Sequence, residues 1–185
     1  MLNITGGKFK GIRLSTPKGN DFRPTLGKTK EALFNVITSR YELTDYDCYD
    51  LFAGSGALGL EAISRGAKRT IFVENSKPHV EFIKQNIRKL SLEDQTIVYK
   101  DNAIHWLSRI SWDYPLNLFL IDPPYQTDLA QEVLDELGKA AAFLQESLVV
   151  VESSKKKTLI APECLALFQQ KAYGSTKLEF FQILN

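Results

Sequence analysis

An α/β fold built on a mostly parallel, Rossmann-like sheet is predicted by three features of this 185-residue chain. Short β-branched and aromatic runs alternate with segments of helical spacing, the pattern of a parallel sheet covered on both faces. Four of those runs end on an acidic residue, Asp50, Glu74, Asp101 and Asp122, at intervals of 24, 27 and 21 residues, the cadence of successive βα units. A glycine-rich turn, Gly54-Ser55-Gly56-Ala57-Leu58-Gly59, follows the first of them and opens a helix. Ligands of such sheets sit at the carboxyl ends of the strands, where these four carboxylates gather.

Taken in order, Leu2 to Thr5 and Phe9 to Ser15 read as a hairpin around Gly6-Gly7, followed by a loop and a helix from about Lys28. Tyr46 to Tyr49 is the first strand of the main sheet. Ala57 to Arg65 carries Leu58, Leu60, Ala62 and Ile63 at helical spacing and stops before Gly66, a good C-terminal signal. Thr70 to Val73 is the second strand, ending at Glu74. Ser76-Lys77-Pro78 starts a helix with a cap and an early proline, and Val80, Phe82, Ile83, Ile87 and Leu90 supply its apolar face. Thr96 to Lys100 is the third strand and Ala103 to Ile110 the helix after it. Leu116 to Ile121 and Leu148 to Val151 are apolar enough for buried strands, with a helix over Thr127 to Phe143 between them. From about Leu165 to Leu184 two strands turn around Gly174-Ser175, an antiparallel end to the sheet.

Asp122-Pro123-Pro124-Tyr125 stands at the carboxyl end of the fourth strand. Prolines have no N–H and fix the backbone, so their carbonyls face a ligand as acceptors. Asp122 adds a charged acceptor, and Tyr125 offers a face on which an extruded base stacks. The set grips a conjugated amino group and turns its nitrogen lone pair towards an electrophile. The glycine turn formally satisfies G-x-G-x-x-G, the dinucleotide pattern. Asp50, however, precedes the first glycine by four residues, where a carboxylate crowds a pyrophosphate. S-adenosyl-L-methionine has a cationic end and no phosphate, and it suits that carboxylate. Phe52, Ala53, Gly54 and Gly56 form the turn around it, Glu74 is placed to accept the ribose hydroxyls, and Asn75 beside it is also expected to bind the cofactor. Asp101, Asn102 and Ala103 fall where the adenine lies.

The net charge of +1 hides an asymmetry. Residues 1–40 hold eight Lys or Arg against Asp21 and Glu31, a balance of +6, whereas residues 41–185 hold 15 basic and 20 acidic residues, a balance of −5. The first 40 residues are therefore expected to form a basic nucleic-acid-binding extension on a catalytic domain spanning 41–185. Lys8, Lys10, Arg13, Arg23, Thr25, Lys28 and Lys30 are its expected nucleic-acid contacts, with RNA as the partner on the resemblance given below. Lys155-Lys156-Lys157 reads as an exposed loop after a strand. No apolar run approaches a membrane span. The start lacks a secretory pattern, which points to a cytoplasmic protein, and a monomer is expected. Cys48 and Cys164 have neither metal nor disulfide spacing, and Cys48 reads as core packing. His79 and His105 are too few for a zinc site, so no metal is expected, and Trp106 and Trp112 read as packing residues.

On these residues the chain resembles the bacterial small-subunit rRNA guanine 2-amino methyltransferases of the RsmD type. The resemblance runs through Ile4-Thr5-Gly6-Gly7-Lys8-Phe9-Lys10-Gly11, Arg23-Pro24-Thr25, Glu31-Ala32-Leu33-Phe34-Asn35, the Asp50 to Gly59 turn, Glu74, Asn102-Ala103, Asp122 to Tyr125, and Tyr173 to Leu178. It implies a seven-stranded methyltransferase sheet, S-adenosyl-L-methionine as donor, and a guanine of small-subunit ribosomal RNA, free or in an assembling particle, as target. D-P-P-Y is shared with amino-methyltransferases of DNA adenine and cytosine, which are the rival within enzymes. Only 60 residues follow Tyr125, filled by the rest of the sheet, so no separate base-reading domain fits. A catalytically silent RNA-binding assembly factor is the rival outside them, and it has no need of an intact D-P-P-Y.

Overall fold

Five parallel strands rich in β-branched and aromatic residues form the centre: β1 (Asp47–Asp50), β2 (Arg69–Val73), β3 (Thr96–Tyr99), β4 (Asn117–Ile121) and β5 (Leu148–Ser154). β6 (Leu165–Tyr173) and β7 (Thr176–Ile183) complete the sheet as an antiparallel hairpin, β7 pairing with β5. The computed structural model describes residues 2–17, 24–111 and 116–184. Strand order is β3-β2-β1-β4-β5-β7-β6. The order reverses between β1 and β4, so a crevice opens beyond their carboxyl ends.

Every residue of β1 and β4 is buried, as both faces of the sheet are covered. Leu118 and Leu120 pack on the side of helix α1 (Pro24–Thr38), while Phe119 and Ile121 pack towards α4 (Ala103–Leu107) and α5 (Leu129–Lys139). Helices α2 (Ala57–Ser64) and α3 (Lys77–Leu90) share the α1 side, closing over Phe72 with Leu60, Ile63, Ile83 and Ile87. Phe72, Phe119 and Phe180 are wholly buried, and each contributes about 1.5–3 kcal/mol of transfer free energy. The glycine turn has a packing reason as well as a ligand reason. A Cβ on Gly59 would stand 2.4 Å from the Phe72 ring and 2.6 Å from Thr70 Cγ2, so α2 lies directly on β2.

The N-terminal segment forms the expected hairpin in irregular form: Ile4 N–H donates to Ile12 O (3.0 Å), Gly11 N–H to Ile4 O (2.9 Å) and Leu14 N–H to Leu2 O (2.8 Å), with one antiparallel bridge, Asn3 to Arg13, among the described residues. The hairpin is also fastened to the main fold. Leu2, Ile4 and Leu14 are buried in the α2–α3 core. Lys8 N–H donates to Ser64 O (2.7 Å), and Ser64 Oγ donates to Gly6 O (2.5 Å). Gly7 has φ +73°, and a Cβ there would lie 1.7 Å from Ser64 O. The first helix begins at Pro24, four residues before the expected Lys28, since proline is preorganised for the first helical position. Helix α5 stops at Lys139 and passes into a short 3₁₀ turn, Ala141–Phe143, where one longer helix was expected. Cys48 and Trp106 pack in the core, and Trp112 lies outside the described residues. No helix among the described residues is long and apolar enough to cross a membrane.

Candidate active site

Strand parity brings three carboxylates together. Asp50 closes β1, and Asp122 and Glu152 each follow the paired residues Ile121 and Val151 of β4 and β5. Counted by alternation from Cys48, Leu120 and Val150, all three lie on the α1 side of the sheet. Two cavities meet there. One of about 480 Å³ is bounded by Gly54, Glu74, Asn75, Asp101, Asn102 and Ala103, and by Asp122 to Tyr125. The other, about 150 Å³, runs beneath the N-terminal segment and is bounded by Asp50, Ala53, Ser55, Leu58 and Lys30. Phe52, Gly54, His79, Asp122 and Glu152 border both. All the expected cofactor residues except Gly56 border one cavity or the other. Gly56 (φ +82°) instead turns the chain into α2, a role that favours glycine.

Glu74 fastens the turn. Its Oε2 accepts from Gly54 N–H and its Oε1 from Ser76 N–H, both at 2.8 Å. Each oxygen keeps a lone pair for a ligand hydroxyl. Asp101 borders the cavity, but its carboxylate is already engaged by Asn102 N–H, His105 and Arg109. Those bonds hold its carboxyl below the usual range, the His105 hydrogen bond foremost. The Asn102 side chain caps α4 by accepting from His105 N–H (3.1 Å).

Asp50 is 1% exposed and, among the described residues, receives one hydrogen bond, from Gly59 N–H at 2.9 Å. Burial pushes its carboxyl up to about 7, the Gly59 bond opposes this, and the Glu74 charge adds to it. Burial likewise holds Asp122 well above the carboxylate range, reinforced by Glu152 and Asp50. Glu152 is raised by burial against the pull of Tyr125, whose hydroxyl donates to Glu152 Oε1 at 2.6 Å. The same hydroxyl lies 2.9 Å from Thr176 Oγ1 on β7. The tether fixes the Tyr125 ring, which is 40% exposed, as a face on the cavity rim.

Five carboxylates and no unpaired cation border these cavities among the described residues. Such a lining repels a pyrophosphate and suits a ligand with a cationic end. The match covers the length of the chain as well as the site: residues 2–182 fit the family described as Conserved hypothetical protein 95. "Ribosomal RNA small subunit methyltransferase D" of Buchnera aphidicola is 33% identical over 170 residues, covering 92% of this chain and 87% of the relative. The chain belongs to that methyltransferase family. Relatives in Escherichia coli and Haemophilus influenzae carry the same description. Solved yhhF from Escherichia coli superposes with a TM-score of 0.85 at 28% identity, covering 100% of this chain and 98% of that one. An RNA methyltransferase of Salinibacter ruber in complex with S-adenosyl-L-homocysteine shares the fold alone, with a TM-score of 0.62 at 12% identity over 93% of this chain and 95% of that one. The carboxylate-lined cavities fit a methyl donor with a cationic end, such as S-adenosylmethionine.

One expected RNA contact of the methyltransferase is corrected by the structure. Lys30 is 4% exposed and pairs with the wholly buried Glu61 at 2.8 Å, while also donating to Asn3 O. Burial pushes the Glu61 carboxyl up, but Lys30 outweighs it and the group sits below the usual range. Lys30 therefore locks α1 and the N-terminal segment to α2 and is not available to a phosphate. Lys8, Lys10, Arg13 and Lys28 are exposed. Arg23 lies outside the described residues, and Thr25 falls in the first turn of α1. Two residues that border both cavities, His79 and Glu152, were not among those expected. Glu152 had a signal, since it follows Val151 at the end of a strand as Asp122 follows Ile121. His79 had none beyond its place one turn into α3.

Proposed function

We propose that this chain methylates the exocyclic 2-amino group of a guanine in small-subunit ribosomal RNA. The observation that carries the reading is the position of Asp122. It is an acceptor on the border shared by both cavities, one residue from the Pro123–Pro124 wall and three from an anchored tyrosine ring. The substrate follows from the relatives, described as small-subunit ribosomal RNA methyltransferases. When bound, S-adenosylmethionine supplies an electrophilic methyl group on a sulfonium.

The chain's own residues do the rest. Asp50 holds the cationic end of the cofactor, Glu74 its ribose, and the Asp101–Ala103 turn borders its adenine. An extruded guanine stacks on Tyr125. Asp122 and the Pro123 carbonyl accept from the 2-amino group, withdrawing its lone pair from the ring and aiming it at the neighbouring cavity. Catalysis is then chiefly positioning and electrostatics. The methylated nitrogen is strongly acidic and sheds its proton without a strong base. Residues 1–40 are proposed as the RNA-holding extension, with Lys8, Lys10, Arg13, Arg23 and Lys28 on phosphates. Mapping methylated bases in small-subunit RNA from cells with and without the gene tests the reading. Loss of one 2-methylguanine is expected, and an unchanged guanine map refutes it.

A further inference from the structure

Glu152 is used by nothing in the mechanism above, yet it is 6% exposed and borders both cavities. Its Oε1 is taken by the Tyr125 hydroxyl, whereas no hydrogen bond from the described residues reaches Oε2. It sits one strand from Asp122 in matched register, following the Ile121–Val151 pair, so the backbones that carry the two carboxylates are about one strand spacing, ~4.8 Å, apart. Both are acceptor-only when ionised. Among the amino-bearing bases, guanine presents two adjacent kinds of donor on its Watson–Crick edge, N1–H and the 2-amino group. Adenine and cytosine present an amino group beside a bare ring nitrogen, which is an acceptor.

We propose that Glu152 selects guanine, its free Oε2 accepting the N1–H while Asp122 takes the 2-amino group. The inference rests on the guanine reading given above. A bare ring nitrogen in the same place would set lone pair against lone pair and leave a buried carboxylate unpaired, which a site of this kind rejects strongly. Tyr125 then has two tasks, stacking the base and aiming the residue that reads it. Burial raises the Glu152 carboxyl, but both the tyrosine hydroxyl and an N1–H stabilise its ionised form.

The test places 2-aminopurine at the mapped target position of small-subunit RNA. This base keeps the 2-amino group and has a bare N1. Methyl transfer from tritiated S-adenosylmethionine is measured on guanine and 2-aminopurine RNA for wild type and Glu152→Gln. The wild type is expected to prefer guanine by about 100-fold or more in kcat/KM. Glu152→Gln, whose amide N–H opposes N1–H but donates to a bare nitrogen, should lose about 10- to 150-fold on guanine and much less on 2-aminopurine. Calorimetry should show its S-adenosylmethionine affinity within a few-fold of wild type, far less than the loss on guanine. Equal wild-type rates on the two RNAs overturn the proposal even if the variant does not fold, and so does an unchanged preference in a folded variant. A wild-type product on adenine or cytosine refutes the guanine reading itself, a separate failure.

Discussion

Replacing Asp50 by Asn should make the protein more stable and the enzyme less able to bind its cofactor. The carboxyl is 1% exposed, and burial pushes it up to about 7 from its ordinary 3.8. An acid whose folded value is raised binds its proton more tightly in the folded state. Stability therefore falls as pH rises from about 4 to about 7, and the full penalty is present above 7. That span corresponds to about 4 kcal/mol at most, at about 1.4 kcal/mol per pH unit. Asparagine keeps an acceptor for Gly59 N–H without the charge. Recovery of even half the penalty raises Tm at pH 8 by at least about 4 °C in a chain of this size. The same carboxylate is the proposed partner of the cofactor's cationic end, and its removal should weaken S-adenosylmethionine by about 100-fold or more. Thermal denaturation at pH 5 and pH 8 with calorimetric titration at pH 8 measures both. The stability gain should appear at pH 8 and shrink at pH 5. A variant that is less stable at pH 8 and binds the cofactor normally refutes the assignment of Asp50.

Three other outcomes follow from the same geometry. Asp122→Ala should lower methyl transfer by about 100-fold or more with S-adenosylmethionine affinity within a few-fold of wild type, as read by tritium transfer and calorimetry; near-normal turnover would remove Asp122 from the target amine. Glu74→Ala removes the carboxylate that holds Gly54 N–H and is placed for the ribose, and should weaken the cofactor by about 10- to 150-fold in the same titration, whereas unchanged affinity would place the ribose elsewhere. Replacing Lys8, Lys10 and Arg13 by Ala should weaken RNA binding and cut the log–log salt slope by about 0.7–0.9 per lost phosphate contact, measured by fluorescence anisotropy across a salt series. An unchanged slope would leave the N-terminal segment a packed structural element only.

What the sequence determined alone was the sheet and the line of acids along its rim. A strand's β-branched composition, a glycine turn and a proline at a helix start act over a few residues, so β1 to β7 and the placement of Asp50, Glu74, Asp101 and Asp122 were all legible without coordinates. What only the tertiary structure decided was the state of the side chains. Lys30 and Lys28 look alike in the chain, but Lys30 is buried because Glu61, on another helix, meets it. Tyr125 read as a free stacking face, yet its hydroxyl is held by Glu152 and by Thr176, 27 and 51 residues onward. Asp101 looked open to a ligand and is engaged by Asn102, His105 and Arg109, which follow it in the chain. Asp50 carries no local sign that its proton is held to about 7. Charge state and hydrogen-bond partner depend on burial and on groups far away in sequence, and those exist only once the chain has packed.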